Sequence, residues 1–141
     1  MGIFCLQTDE ARNWEMIYLY IHNLKKNLQN LGINIPDLSV PMANYVPYKV
    51  INNILYVSGQ GPVVGGKIMY LGKVGVDISI EEGIEAAKIC CLNIISALKH
   101  SIDGNWERFD EVIKLGGFVN SNPDFSEQPK IINGASDQVA Y

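Results

Sequence analysis

The sequence predicts an α+β sandwich in which helices cover one face of a mainly antiparallel sheet. Apolar residues recur every three or four positions between residues 14 and 31, and again between residues 84 and 102, which predicts two amphipathic helices. Two short apolar runs flank Asn52 and Asn53, residues that tolerate the left-handed backbone of a tight hairpin. With 141 residues, the chain can bury one core of ordinary size.

The first 31 residues are predicted to form an N-terminal extension and an amphipathic helix. Its apolar positions run from Trp14 to Leu31, and Gly32 follows as a typical helix end. Pro36 and Pro41 then exclude a helix, so residues 33–43 should be an extended linker over the surface. Residues 32–141 are therefore assigned to the main domain.

The sheet should begin with a hairpin built from Tyr45–Val50 and Ile54–Ser58. A second turn is predicted at Gly65–Gly66, with Lys67–Leu71 as a short strand after it. Val112–Val119 is the next strand candidate, and the glycines inside it indicate a bulge or the close approach of another group.

The long second helix has a clear start, because Ser79 and Glu82 have the spacing of a capping box. Gly104 is expected to end it, and Cys90 and Cys91 lie inside it as packing groups rather than reactive thiols. A last helix is expected to be capped by Asp124 or Ser126 and to have barely begun at the end of the sequence.

Composition excludes several classes of function. The net charge is −4, and 11 Lys and Arg residues are few for a protein that neutralises a phosphate backbone, so no nucleic-acid partner is expected. Three cysteines form neither a disulfide framework nor a metal-ligand spacing. Neither a secretory signal nor a membrane span is written in the N-terminal residues. We expect a cytoplasmic protein with reduced thiols and no membrane partner.

The end of the second predicted strand is the best candidate for a binding site. Ser58 follows an apolar run and precedes the turn Gly59–Pro62, which leaves a hydroxyl beside flexible backbone. Such a strand end can serve as part of a small-molecule pocket, or simply as the turn after a buried strand. The sheet face opposite the helices also needs a cover, and self-association is the economical solution.

Several ordered segments resemble the reactive-intermediate deaminase (Rid, YjgF-like) family, and specifically its branch with an extra N-terminal helix, labelled endoribonuclease L-PSP or chorismate-mutase-like. The resemblance spans about residues 24 to 139 and includes Asn44–Pro47, Leu55–Pro62, Gly72–Gly75, Glu81–Gly83, Leu115–Ser121, Pro123–Phe125 and Ile132–Asp137.

This resemblance implies the chorismate-mutase-like fold and a homotrimer whose sheets line a central barrel, with ligand clefts between subunits. It also implies hydrolysis of reactive imines or enamines to 2-oxo acids and ammonia, without a metal or organic cofactor. Positioning and electrostatics suffice for this chemistry, because water adds to a carbon that is already electrophilic.

The family's site residues carry over at four positions. Ser58 matches the family's Ser at the end of the second strand, and its hydroxyl should contact substrate or water together with the Gly59 backbone N–H. Tyr45 matches the Tyr that lines the cleft, and Asn133 matches a cleft Asn after a short insertion. Ser58 is the assigned catalytic residue but is not proposed as a nucleophile, because neither His22 nor His100 is expected beside it.

The sequence departs from the family pattern in one respect. The family's substrate-clamping Arg and water-orienting Glu would lie beyond Tyr141, and Arg12 and Arg108 occupy the wrong contexts to replace the Arg. The expectation is therefore either a fragment or a protein without deaminase activity. Three functions follow: an imine and enamine deaminase, a non-catalytic trimer that binds a small carboxylate or oxo acid, and, as the weakest case, a ribonuclease.

Overall fold

The structure is a computed structural model that describes residues 4–7, 28, 32–38 and 44–139. Within these ranges the chain forms six strands, two long helices and one short 3₁₀ turn. In chain order they are β1 (Phe4–Gln7), β2 (Tyr48–Ile51), β3 (Ile54–Val57), β4 (Val63–Val64), β5 (Lys67–Ile68), α1 (Ile80–Ser101), the 3₁₀ turn (Trp106–Arg108), β6 (Glu111–Lys114) and α2 (Gln128–Val139).

Four strands form one antiparallel sheet in the order β2-β3-β1-β6. The first strand, β1, lies between β3 and β6, with Phe4 opposite Val57 and Gln7 opposite both Ile54 and Glu111. No strand is predicted here from the sequence. Because it supplies pairing partners to two neighbours, residues of the N-terminal extension belong to the sheet of the main domain.

The predicted hairpin is confirmed, with β2 and β3 paired in register around a two-residue turn. Asn52 and Asn53 have φ angles of 49° and 63°, the left-handed conformation that a two-residue turn of this kind requires. The second predicted turn is also present between β4 and β5, where both turn glycines have positive φ angles.

The capping box at the start of α1 is confirmed. The Glu82 N–H donates to Ser79 Oγ (3.1 Å), and the Ser79 N–H donates to Glu82 Oε2 (2.7 Å). At the other end, the Gly104 N–H donates to the Lys99 carbonyl (2.8 Å), and Gly104 has a φ of 71°. The helix thus begins and ends where local side-chain and glycine chemistry predicts.

The core lies between α1 and the sheet. Along β3 the odd positions Leu55 and Val57 are buried, whereas Tyr56 between them is exposed on the opposite face. These two residues share the core with residues of α1, and α2 packs along α1. The buried set comprises Leu28, Leu55, Val57, Cys91, Ile94, Ile95, Ala97, Leu98, Ile102, Trp106, Phe109 and Ala135.

The predicted N-terminal helix can be followed only at its end. Leu28 is helical and buried, Gly32 has a φ of 63°, and the Ile33 N–H donates to the Leu28 carbonyl (2.9 Å). This six-to-one hydrogen bond is typical of a Schellman helix end and agrees with the predicted boundary. The remaining helix positions from Trp14 onwards lie outside the described residues.

Several predicted elements differ from the structure in their bounds. β2 begins at Tyr48 rather than Tyr45, and β5 ends at Ile68 rather than Leu71. The strand predicted to reach Val119 ends at Lys114, the last residue of β6 paired with β1, and Gly117 then passes closely against the Ile132 side chain of α2. The last helix is three turns long rather than barely begun, and neither Asp124 nor Ser126 is its cap, since the helix starts at Gln128.

Candidate functional site

One opening in the described part of the protein is a cleft of about 920 Å³. The linker borders it with Asn34, Pro36 and Asp37, and the glycine-rich segment Gly59–Gly66 forms another side. Residues of α1, including Asn93, complete the lining. We call this opening the cleft; its size is within the range of small-molecule sites.

Two of the four predicted site residues line this cleft, and a third, Ser58, is hydrogen-bonded to the segment that carries one of them. Tyr45 and Gly59 line it, and Tyr45 is 48% exposed, so its phenol is accessible. Ser58 connects them: its hydroxyl donates to the Val46 carbonyl (2.6 Å) and its N–H donates to the Pro47 carbonyl (2.9 Å). The end of β3 is therefore tied directly to the segment that carries Tyr45.

The fourth predicted residue, Asn133, lies elsewhere in the chain. It is exposed on α2 and lines neither the cleft nor the second cavity described below. The reason is the packing of α2, which buries Ile131, Gly134 and Ala135 and leaves Asn133 at the surface. Within one copy of the chain, Asn133 is not brought to Ser58 and Tyr45.

The structure adds two polar residues that the sequence analysis missed. Asn93 is 4% exposed on α1, and its side-chain Nδ2 donates to the carbonyls of Gly61 and Val63, both at 3.1 Å. The sequence signal for Asn93 was a single amide side chain among the apolar positions of the helix. Asp37 lines the cleft from the linker, where nothing in the local sequence distinguishes it from a solvated loop residue.

The charge of the cleft is slight. Asp37 is its one charged lining residue in the described part of the chain, and neither Lys nor Arg contributes to that lining. Most of the remaining lining is apolar or backbone, for example Ile89, Leu92 and Gly65. Such a surface suits a small organic molecule better than a polyanion.

The histidine that the structure describes is engaged away from the cleft. The Tyr48 hydroxyl lies 2.7 Å from His100 Nδ1, and the two ring centroids are 5.7 Å apart. This pair links β2 to the end of α1, and neither residue lines the cleft. His100 is therefore no general base for Ser58, as expected; His22 lies outside the described residues.

A second, smaller space of about 220 Å³ lies between α1, α2 and the segment 115–120; we call it the inner cavity. Cys90 and Cys91 line it. Burial raises the pKa of the Cys90 thiol to about 11 and that of the Cys91 thiol to about 12, so both remain protonated near neutral pH. This agrees with the prediction that they are packing groups.

Two kinds of feature are absent from the described residues: a cluster of metal ligands and a membrane-spanning helix. No group of three or more His, Cys, Asp or Glu residues is arranged there to hold a metal ion. Among the helices in those ranges, none has the length and apolar character needed to cross a membrane.

Comparison with known proteins identifies clear relatives. Residues 25–140 match the model of the family described as "YjgF/chorismate_mutase-like, putative endoribonuclease". Protein TCP17 of Trypanosoma cruzi is 42% identical over 115 residues, which cover 80% of this chain and 70% of that protein.

Two solved structures share the fold. The protein Atu1372 of Agrobacterium tumefaciens, of unknown function, is 39% identical with a TM-score of 0.75, covering 89% of this chain and 77% of its own. A protein of Shewanella oneidensis described as a putative endoribonuclease is 33% identical with a TM-score of 0.76, covering 82% of this chain and 76% of its own. The chorismate-mutase-like α+β fold is thereby confirmed.

Proposed function

Because this chain belongs to the YjgF/chorismate-mutase-like family, we propose that it hydrolyses reactive imines and enamines to 2-oxo acids and ammonia. The observation that carries the proposal is that Tyr45 and Gly59 line one open cleft, while Ser58, next to Gly59, is hydrogen-bonded to the Val46 carbonyl beside Tyr45. These residue types supply a hydroxyl, a phenol and a backbone N–H to a small polar molecule, in a lining that is otherwise largely apolar.

The reaction needs little covalent help from the protein. Water adds to the carbon of the C=N bond, a proton moves to nitrogen, and ammonia leaves as the carbonyl forms. An enamine first becomes the imine when its carbon gains a proton and its nitrogen loses one. Since the carbon is already electrophilic, holding the substrate beside one oriented water supplies most of the acceleration.

The hydrogen bonds of Ser58 define its role in this scheme. Its hydroxyl proton is directed to the Val46 carbonyl at 2.6 Å, so its oxygen lone pairs remain to accept a hydrogen bond from water. A nucleophilic Ser would need a base at its proton instead. We assign Ser58 to orientation of the attacking water, Tyr45 to a hydrogen bond with the substrate, and the Gly59 N–H to a substrate oxygen.

The endoribonuclease label of the family and of the Shewanella protein suggests a different reaction. RNA binding depends mainly on Lys and Arg contacts with phosphates, and the described lining of the cleft holds neither residue. The described histidine is paired with Tyr48 rather than placed for phosphodiester cleavage. These observations favour the small imine over RNA.

Self-association is part of the proposal. The sheet face opposite the core exposes Ile51 of β2, Tyr56 of β3 and Ile113 of β6. Exposed apolar residues of this kind commonly mark a protein interface, and we propose that three copies cover one another there. Light scattering should then give three times 15.6 kDa, about 47 kDa, whereas a monomer mass would contradict the trimer.

The activity is tested with imines generated in place by a pyridoxal-phosphate dehydratase acting on serine or threonine. The protein should accelerate ammonia release over the spontaneous rate, and Ser58→Ala and Tyr45→Phe should each lower kcat/KM about tenfold or more. Tyr48→Phe is the matched control, because it removes a phenol that bonds His100 outside the cleft and should leave the rate unchanged.

Three results would decide against the deaminase. No acceleration, with saturable binding of a 2-oxo acid, would indicate the non-catalytic binding protein. Equal losses in Tyr45→Phe and Tyr48→Phe would place the effect outside the cleft. Degradation of RNA by nuclease-free protein, abolished by Tyr45→Phe, would restore the ribonuclease.

A further inference from the structure

The glycine-rich side of the cleft is held by one buried side chain. Segment Gly59–Val63, here called the turn, follows directly from Ser58. Its carbonyls at Gly61 and Val63 both accept from Asn93 Nδ2, at 3.1 Å each. These bonds connect the turn to the interior of α1, which is 30 to 32 residues away in sequence.

The position of Asn93 on α1 has surroundings typical of an apolar residue. Its neighbours Cys91, Ile94 and Ile95 are buried core residues, and Asn93 itself is 4% exposed. Burying an amide without hydrogen-bond partners costs free energy. The carbonyls of Gly61 and Val63 offset this cost for Asn93. The bonds use both N–H groups of the side chain, which leaves its oxygen as the remaining polar atom.

The other restraints on the turn come from residues near it in sequence, and one of them is the pairing of Val63 with Ile68 in the β4–β5 ladder. The Gln60 side chain donates to the Ser58 carbonyl (3.1 Å), the Val63 N–H donates to the Gly61 carbonyl (2.9 Å), and the Met69 N–H donates to the Pro62 carbonyl (2.8 Å). The first two bonds are local to the turn, and the third leads to a segment just after the short strand β5. Asn93 therefore provides the direct hydrogen-bond connection between the turn and a long, buried helix.

We infer that Asn93 is a positioning residue, which fixes the turn so that the Gly59 N–H and Ser58 hydroxyl are held in place for a ligand in the cleft. This inference rests on the proposed function for its catalytic consequence. Asn93 acts through the backbone of the turn rather than by contact with the reacting atoms. Loss of a positioning contact of this kind lowers the rate because the site must be ordered anew in each turnover.

The test compares Asn93→Leu with Ser96→Ala. Leu keeps the number and branching of the Asn side-chain heavy atoms and removes both donors, whereas Ser96 is a buried polar residue of the same helix that lines neither opening. Amide hydrogen exchange, read by mass spectrometry, should rise about tenfold in peptides covering Gly59–Val63 of the Leu variant and stay unchanged in peptides of α1. Ser96→Ala should show no rise at the turn.

Kinetics separate positioning from simple structural damage. In folded Asn93→Leu protein, kcat for imine hydrolysis should fall about tenfold, and Asn93→Gln, which keeps the amide, should recover part of it. If the Leu variant does not fold, Asn93→Asp replaces it, since the carboxylate keeps the shape of the amide and lacks its donors.

Unchanged exchange at the turn in a folded variant would overturn the inference, and so would faster exchange with an unchanged kcat. If the parent protein shows no deaminase activity, the proposed function fails by itself. In that case, affinity for a 2-oxo acid replaces kcat as the second readout, and an unchanged affinity in Asn93→Leu overturns the positioning role.

Discussion

The cleft and the inner cavity share a wall at Gln60 and Pro62 but are built in opposite ways. The cleft is about four times larger, about 920 Å³ against 220 Å³, and is bordered by loops whose backbone is tied by polar side chains. The inner cavity lies where two helices approach closely, and its thiols are kept neutral by burial. Hydrogen bonds from polar side chains to backbone therefore shape the cleft, whereas helix packing shapes the inner cavity.

Thiol chemistry should show the largest difference between the two regions. Because burial raises the Cys90 pKa from 9.0 to about 11, the reactive thiolate is about a hundredfold scarcer near pH 8 than in an ordinary Cys. Iodoacetamide labelling of Cys90, resolved by peptide mass spectrometry, should therefore be about a hundredfold slower in folded protein than in urea, and labelling of Cys91 should be slower still. Equal rates in both states would show that burial does not protect these thiols.

The same thiols set a direction for stability at alkaline pH. Their pKa values are raised in the folded state, so they favour folding below pH 9, and this contribution is lost as the pH rises towards 11 and 12. Unfolding in urea should thus become easier between pH 9 and 11, and less so in the Cys91→Ala variant relative to its own value at pH 8. A parallel decline in both proteins would contradict this assignment.

A smaller effect on stability is expected when alanine replaces a glycine in the contact between the two helices or in the turn beside the cleft. At Gly134 of α2, a Cβ would meet the Ile84 carbonyl oxygen at 2.5 Å, and backbone cannot easily move aside. Gly134→Ala should therefore destabilise the protein by about 2 kcal/mol, after a partial gain in helix propensity.

The matched control is Gly61→Ala in the turn. Its Cβ would meet nothing nearer than Val63 Cγ2 at 3.9 Å, so the free energy of unfolding should change by less than about 0.5 kcal/mol. Urea denaturation measures both variants. Equal losses of unfolding free energy at the two positions would contradict the contrast between a close-packed helix contact and an open turn.

Local chemistry predicted much of the fold. The Asn52–Asn53 hairpin and the Ser79 capping box depend on residues a few positions apart, so the sequence displays them directly. β1 could not be found in this way, because its partners β3 and β6 are distant in sequence and its four residues carry no turn signal. The early end of β6 follows from the same non-local pairing.

Some residues of the candidate site could be predicted from the sequence, but the side chains that hold its backbone in place could not. Ser58, Gly59 and Tyr45 belong to recognisable segments; Tyr45 and Gly59 line the cleft, and Ser58 is hydrogen-bonded to the residue after Tyr45. Asn93 escaped because its partners are backbone carbonyls 30 and 32 residues away, which no side-chain pattern reveals. Asp37 reaches the cleft through the path of the linker, and Asn133 is directed to the surface by the packing of α2.

The central claim is that the cleft, rather than the inner cavity, is the ligand site. A crystal structure of the protein soaked with a short-chain 2-oxo acid such as 2-oxobutanoate tests this most directly. The account predicts density for the acid between Tyr45 and Gly59, with Ser58 Oγ within hydrogen-bond distance of the ligand or its water. Density in the inner cavity beside Cys90, or a cleft left empty at saturating concentration, would contradict it.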